Sequence, residues 1–132
     1  MIFLEETKPH LSDMLILVDR ERDRRIYLGV IFNNIFFQFD DVTRQRIIAM
    51  GALASIAISQ GSPAGNLRWF NPNNDFAWIA ADNTLVPMDA QTMLAFSETA
   101  AGHEASHIFA GRFIKNMTPI PLDFEDNKYW PT

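Results

Sequence analysis

Three stretches of the chain carry hydrophobic residues at the spacing of an α helix. The first covers residues 12–25. The second begins at the aspartate pair 40–41, where either residue can cap a helix, and it ends at Gly61. The third begins after Asp89, a suitable N-cap, and runs to about residue 116, shortly before two prolines that forbid its continuation. The pattern therefore predicts three helices.

Runs of β-prone residues fill two of the gaps between these helices. Residues 26–39 hold two such runs around Asn33-Asn34, a pair that tolerates the positive φ angles of a tight hairpin turn. Residues 76–88 hold a second pair of runs around the turn ADNT. The turn-rich loop that precedes them, residues 61–75, favours one short strand at 67–70. The predicted fold class is α+β, with three helices alternating with two antiparallel β-hairpins.

The same pattern divides the chain into three segments. Residues 1–25 are predicted to form an N-terminal arm and a helix, and residues 26–117 an α+β domain. Residues 118–132 contain Pro119 and Pro121, which favour an extended C-terminal tail. With 132 residues in all, we expect a single compact domain with one core and extended terminal arms.

The second and third helices have more apolar surface than one core contact needs. Residues 47–58 are apolar around most of the circumference, which predicts a central helix covered on more than one side. On the third helix, one stripe is predicted to face the core: Leu94, Ala101, Ala105, Ile108 and the stem of Arg112. The opposite face is also apolar: Phe96, Ala100, His103, His107, Ala110, Ile114 and Met117. Either a terminal segment or a second subunit is expected to cover it.

Composition and charge exclude several classes of function. The net charge of -5 argues against non-specific nucleic-acid binding, which depends on a basic surface. The apolar run at 47–58 is too short to span a bilayer, and the acidic N-terminus does not resemble a signal peptide, so we expect no membrane contact. The absence of cysteine removes disulfides and thiolate chemistry and is typical of a protein made in a reducing cytosol.

One short motif proposes chemistry directly. Residues 103–107 read HEASH, and the pattern H-E-x-x-H on a helix places two histidines where both can bind one zinc ion beside a glutamate base, here Glu104. A catalytic zinc needs a third protein ligand, and Glu125 on the tail is the available candidate. The alternative is that His103 and His107 fill an apolar helix face, in which case the chain holds no metal or other cofactor and is not an enzyme.

Three stretches of the chain resemble a family of phage and prophage domains of unknown function, over about residues 26–117. They are LGVIFNNIFFQFDDVTRQRIIAMGALA, WIAADNTLVPMDAQTMLAF and AAGHEASHIFAGRFIKNM. The positions that match the family pattern are Gly29, Phe32, Asn33, Phe37, Asp40, Arg44, Ile47, Trp78, Asp82, Asn83, Val86 and Met88. Asn34 and Thr43 replace a glycine and a serine of the pattern, and both are mild changes. The ending YWP is similar to the C-termini of phage tail-fibre assembly proteins.

This resemblance implies a tail or tail-fibre protein that acts by protein–protein contact. It implies a place in the virion tail after synthesis in the bacterial cytoplasm, and other tail or fibre proteins, or further copies of the chain, as partners. The expected contacts are the two terminal arms and an interface of six residues: Phe96, His107, Ile114, Met117, Tyr129 and Trp130. The alternatives are a tail-fibre assembly chaperone that leaves the mature particle, and a small zinc-dependent hydrolase that uses HEASH.

Overall fold

The computed structural model describes residues 10–132 of the chain. This part contains three α helices and two antiparallel hairpins, so the predicted α+β class is confirmed. In chain order the elements are helix α1 (Leu11–Leu28), strands β1 (Val30–Phe32) and β2 (Ile35–Phe37), helix α2 (Asp41–Ser59), strands β3 (Ala77–Ile79) and β4 (Leu85–Pro87), helix α3 (Ala90–Lys115) and a 3-10 helix (Asn127–Tyr129). The N-terminal docking arm proposed from the sequence lies outside the described residues.

The chain divides into two compact units. One, which we call the central unit, consists of residues 26–104. The other, the end unit, contains residues 10–25 and 105–132 among those described. Helices α1 and α3 each contribute residues to both units.

The first hairpin of the central unit has the turn that its sequence predicts. Asn33 and Asn34 adopt φ angles of 52° and 63°, the left-handed values that asparagine tolerates in a two-residue turn. Phe32 pairs with Ile35 across the turn, and the register places Phe37 on the buried face. The ring of Phe37 lies 4.6 Å, centroid to centroid, from that of Phe96 on α3. The hairpin is therefore held by an aromatic contact with α3.

Helix α2 packs with one side only within the described part of the central unit. Its buried residues are Ile47, Gly51 and Ala54, one turn apart, whereas the apolar side chains of Ile48 and Ile56 are exposed. The prediction of a helix covered on more than one side was therefore wrong. A Cβ atom at Gly51 would collide with the side chain of Ser97, so the missing side chain lets α2 approach α3 closely.

The remaining elements agree with the predictions from the sequence, with two exceptions. Asp89 caps α3 as predicted, because its carboxylate accepts a hydrogen bond from the Thr92 N–H at 2.7 Å. The pKa of Asp89 is lowered mainly by a hydrogen bond with the side chain of Thr92, and less by the bonds from the Gly65 and Thr92 N–H groups, while burial opposes the shift. Helix α1 continues to Leu28 and so includes residues that were predicted as strand. The strand predicted at 67–70 is absent, and the loop contains only an isolated bridge between Asn71 and Asn74.

The end unit has its own core, built from α1, the C-terminal half of α3 and the tail. Its buried residues are Met14, Val18, Ile114, Ile120, Phe124 and Trp130. Three of these belong to the segment 118–132, so the predicted tail contains core residues and is not a free docking arm. Arg25 also holds the tail, because its guanidinium donates to the carbonyl of Glu125 at 2.7 Å and to the side chain of Asn127 at 2.9 Å.

Candidate functional site

Helix α3 buries the face that was expected to be covered by a terminal segment or a second subunit, and it exposes most of the stripe that was expected to face the core. Phe96, Ala100, His107 and Ile114 lie on the buried side. Of the stripe predicted to face the core, Ala101, Ala105, Ile108 and Arg112 are exposed and only Leu94 is partly buried. Both faces are apolar, so helical periodicity alone could not distinguish them. The packing partners distinguish them: Phe37 packs against Phe96 in the central unit, and Trp130 packs against His107 in the end unit.

The exposed side of α3 carries two phenylalanines one helical turn apart. Phe109 and Phe113 are 72% and 69% exposed, and the neighbouring Ile108 is 44% exposed. Arg112 lies between the two rings along the helix and makes no side-chain hydrogen bond or ion pair with any residue in 10–132. We call these four residues of the end unit the α3 apolar surface. Isolated exposed apolar residues are common, but a cluster of large ones usually marks an interaction site.

Of the six residues predicted as an interface, four are buried and two, Met117 and Tyr129, are partly buried. Phe96 is fully buried in the core of the central unit, where its ring contacts Phe32 at 5.2 Å. Ile114 belongs to the end-unit core, and Met117 is partly buried. The face they share on α3 is therefore used for internal packing in this structure, and the sequence did not single out the exposed phenylalanines of the same helix.

The aromatic residues at the end of the chain are internal contacts as well. Trp130 is 5% exposed, and its indole N–H donates to the carbonyl of Phe124 at 2.7 Å. Its ring stacks with that of His107, with centroids 6.4 Å apart, and Arg25 lies 5.4 Å from the ring centroid. Tyr129 is partly buried, and its hydroxyl donates to Asp123 at 2.8 Å. This hydrogen bond raises the pKa of Tyr129.

The signal for the exposed pair was present in the sequence. Phe109 and Phe113 are four residues apart, a spacing that places two side chains side by side on a helix. They fall between the two apolar faces assigned from periodicity, so neither face included them. Aromatic residues and arginine, the residue types of this cluster, are enriched at protein interfaces.

The two histidines and the glutamate of the HEASH motif each have their own contact. In the central unit, His103 Nε2 lies 3.0 Å from the carbonyl oxygen of Ile26, and the imidazole packs edge-on against Phe39 at 5.7 Å. Glu104 accepts a hydrogen bond from Arg44 at 2.8 Å, which raises the pKa of Arg44. In the end unit, His107 is buried against Trp130 as described above.

Among the described residues, no group of three or more histidine, cysteine, aspartate or glutamate side chains could hold a metal ion. Glu125, the third ligand considered from the sequence, is not brought together with both histidines. No helix between residues 10 and 132 is long and apolar enough to cross a bilayer.

Comparison with known proteins gives one family. The model of a family described as a domain of unknown function matches residues 12–126, which is most of the chain and includes parts of both units. No curated protein and no solved structure matches the chain.

Proposed function

The chain belongs to the DUF4376 family, a domain of unknown function, and we propose that it is a structural protein of a phage tail or tail-fibre apparatus that acts by protein–protein contact. The contact is the α3 apolar surface, formed by Ile108, Phe109, Arg112 and Phe113. The partner is another tail or fibre protein. The phage context rests on the resemblance of the sequence motifs to phage and prophage domains.

One observation carries the contact: the exposure of two phenylalanine rings on one side of a stable helix. Phe109 and Phe113 leave most of their surface in water, although burying each ring would contribute roughly 1.5–3 kcal/mol. A partner that covers both rings recovers that free energy. The core of the end unit cannot bury these two rings, because it is already filled by side chains that include those on the opposite face of α3.

The charge of this surface indicates what the partner presents. The chain carries a net charge of -5, yet the only charged side chain of the α3 apolar surface is Arg112, which has no partner among the described residues. Phenylalanines around an arginine fit an apolar partner surface with a carboxylate near its centre, since a guanidinium binds a carboxylate through two parallel hydrogen bonds. The partner is therefore an apolar, locally acidic face of a tail protein.

The test is to count copies of this chain in purified particles of the phage that encodes it. We expect a fixed number of copies per particle in the wild type. The double substitution Phe109→Ser and Phe113→Ser should reduce that number at least tenfold, because both residues are exposed and their loss leaves the fold intact. Leu122→Ser is the matched control, since Leu122 is an equally exposed apolar residue of the same unit that lies off α3.

Three outcomes would contradict the proposal. Incorporation of the double variant at the wild-type level would show that the α3 apolar surface is not the contact. Absence of the wild-type chain from particles, together with failure of fibres to form without it, would identify an assembly chaperone. Self-association of the purified chain in light scattering, abolished by the same double substitution, would mean that the surface binds a second copy.

A further inference from the structure

The central unit contains a cleft that the proposed contact on α3 does not use. Its volume is about 400 Å³, within the usual range for ligand sites. It lies between β3 and the first turns of α2, and it is lined by Gln38, Thr43, Arg46, Ala77, Trp78, Ile79, Ala80 and Asn83. We propose that this cleft binds an extended peptide segment of a partner protein that carries an aspartate or glutamate side chain.

The first support is the free edge of strand β3. β3 pairs with β4 and with no other strand in the described part of the chain. The Ala80 N–H donates to the Thr84 carbonyl on the β4 side, whereas the Ala81 N–H donates to the Phe36 carbonyl on the opposite side. Because successive residues of a strand direct their backbone groups to alternate sides, those of Ala77 and Ile79 point away from β4.

The sequence of β4 agrees with this assignment. Pro87 pairs with Ala77 across the hairpin, and a proline has no N–H to donate, so this position fits a pair without backbone hydrogen bonds. Ala77 and Ile79 make no other backbone hydrogen bond within residues 10–132. Their N–H and C=O groups therefore offer an incoming strand the ladder by which many domains bind extended peptides.

The second support is a set of polar side chains in the cleft that have no partner. The guanidinium of Arg46, the indole N–H of Trp78 and the side-chain amides of Gln38 and Asn83 make no hydrogen bond to another described residue. Thr43 differs, because its hydroxyl donates to Asp40 at 2.5 Å. A peptide backbone requires both donors and acceptors, and the two amides supply both.

The third support is charge. Among the described residues, Arg46 is the only charged side chain that lines the cleft; it makes no hydrogen bond or ion pair with them, and its charge acts only at longer range, on the pKa of Asp40. The other arginine in the first turns of α2, Arg44, is already paired with Glu104 and Asp41. A carboxylate that reaches the Arg46 guanidinium forms a charge-assisted hydrogen bond, which is stronger than one between neutral groups. Ile79 and the alanines leave the rest of the cleft apolar, which suits alternate side chains of a strand.

The experiment selects ligands without assuming their sequence. Random nine-residue segments are displayed inside a scaffold loop on yeast, so that no free terminus is present, and selected on the full chain. We expect the enriched segments to be β-prone and to share one aspartate or glutamate at a fixed position. Binding should fall about tenfold for Arg46→Gln and also when that acid is replaced by its amide, with no further loss when both changes are combined.

Arg20→Gln is the matched control, because Arg20 is an exposed arginine of the end unit without a partner among the described residues, and its substitution should leave binding unchanged. Amide exchange measured by NMR provides a second readout. On binding, the amides of Ala77 and Ile79 should exchange more slowly, whereas that of Trp78, which points to β4, should not change.

Several results would overturn the proposal. These are a selection without enrichment, enriched segments that lack the acid, and equal binding by the Arg46→Gln variant. Slow exchange confined to residues outside β3 would place the peptide elsewhere. If maltose shifts the indole signal of Trp78 while no segment is enriched, the cleft is a sugar site and the proposal is wrong.

Discussion

The central unit and the end unit differ in the kind of chain segment and the kind of contact that build them. The central unit is one continuous stretch, and its core is a chain of touching aromatic rings: Phe32, Phe37, Phe96, Trp78, Phe76 and Trp69. The end unit joins two segments that are separated in the sequence by the whole of residues 26–104, and it has a smaller buried core. Contacts that are distant in sequence are entropically costly to close, so the end unit needs anchors of another kind.

Those anchors are polar and converge on helix α1. Arg25 binds the tail through Glu125 and Asn127, and it is itself paired with the buried Glu21 at 2.8 Å. Lys115 at the end of α3 forms an ion pair of 2.6 Å with Asp19. Ion pairs that are mostly withdrawn from water are sensitive to the loss of either partner, because the remaining charge is left unpaired. The central unit therefore depends mainly on packing, and the end unit on a few directional contacts.

The largest expected effect tests the aromatic core. Phe96→Ala removes a fully buried ring that touches Phe32, Phe37 and Trp78, and we expect the free energy of unfolding to fall by about 3–5 kcal/mol. The measurement is urea unfolding followed by circular dichroism. Phe109→Ala on the same helix is the control, and it should change stability by less than about 0.5 kcal/mol because this ring is exposed. Equal losses for the two variants would refute the assignment of the faces of α3.

The next effect concerns the anchor of the tail. Trp130→Ala removes a buried ring, its hydrogen bond to Phe124 and the cation–π contact with Arg25, and we expect a loss of about 3 kcal/mol. Hydrogen exchange should show the loss as faster exchange at residues 110–115, while the buried turns of α2 stay protected. If the amides of α2 lost protection from exchange to the same extent, the central unit and the end unit would unfold together. The proposed difference in how the two units are stabilised would then be wrong.

The parts of the fold that were predicted correctly depend on local chemistry. The turn at Asn33-Asn34 and the Asp89 cap are decided by residues within a few positions of each other, so the sequence contains their cause. The packing of the tail in the end unit has no such local signal. Ile120 lies between two prolines and Trp130 lies after them, in a composition typical of an exposed tail, and only their partners on α1 and α3 make them core residues. That pairing is not visible in periodicity.

The candidate site was missed for a related reason. Helix α3 is rich in alanine and apolar on nearly all sides, so no polar face showed which side meets solvent. The predicted interface took the face with Phe96 and Ile114, which the structure buries. The exposed surface is identified by side-chain exposure alone, at Phe109 and Phe113. The cleft beside β3 was equally hidden, because it needs Arg46 and Trp78, which are 32 positions apart in the numbering, to line one cavity.

A smaller effect sharpens the claim that the central unit depends on packing. Gly51→Ala adds a Cβ that collides with Ser97, and overpacking of this kind should lower the free energy of unfolding by about 1–3 kcal/mol. Gly102→Ala is the matched control, because a Cβ at Gly102 meets no atom within 4 Å. It should stabilise α3 by about 0.5–1 kcal/mol, the usual difference between alanine and glycine in a helix. Thermal unfolding should show a lower melting temperature for Gly51→Ala and a higher one for Gly102→Ala than for the wild type.

The collision at Gly51 also predicts a rescue. Ser97→Gly removes the side chain that the new Cβ would meet, so the double variant should be more stable than the sum of the two single losses predicts. Simple additivity would mean that α2 and α3 separate at this point without cost. The close approach of the two helices would then contribute nothing to the core of the central unit.

The smallest effect tests the polar anchors through pH. Hydrogen bonds from Arg24 and Arg25, opposed by burial, hold the pKa of Glu21 below its usual value. The unfolded chain therefore binds the proton more readily than the folded one, and this contribution to stability is present above about pH 4.3, the ordinary pKa of glutamate. It is lost as the pH falls through the lower pKa of the folded state. Glu21→Gln should cost about 1 kcal/mol at pH 7 and make stability less dependent on pH in the acid range.

The comparison of the Glu21→Gln variant with wild type is made by urea unfolding between pH 7 and pH 3. The control is Glu98→Gln, because Glu98 is an exposed glutamate of α3 in the central unit that makes no ion pair with the described residues, and it should leave the curve unchanged. The lowered pKa of Glu21 predicts that the stability of the wild type falls as the pH falls. A stability that rises instead would contradict this prediction. It would show that Glu21 and its two arginines do not hold the folded end unit together, and its stability would then have to come from the six buried side chains of its core.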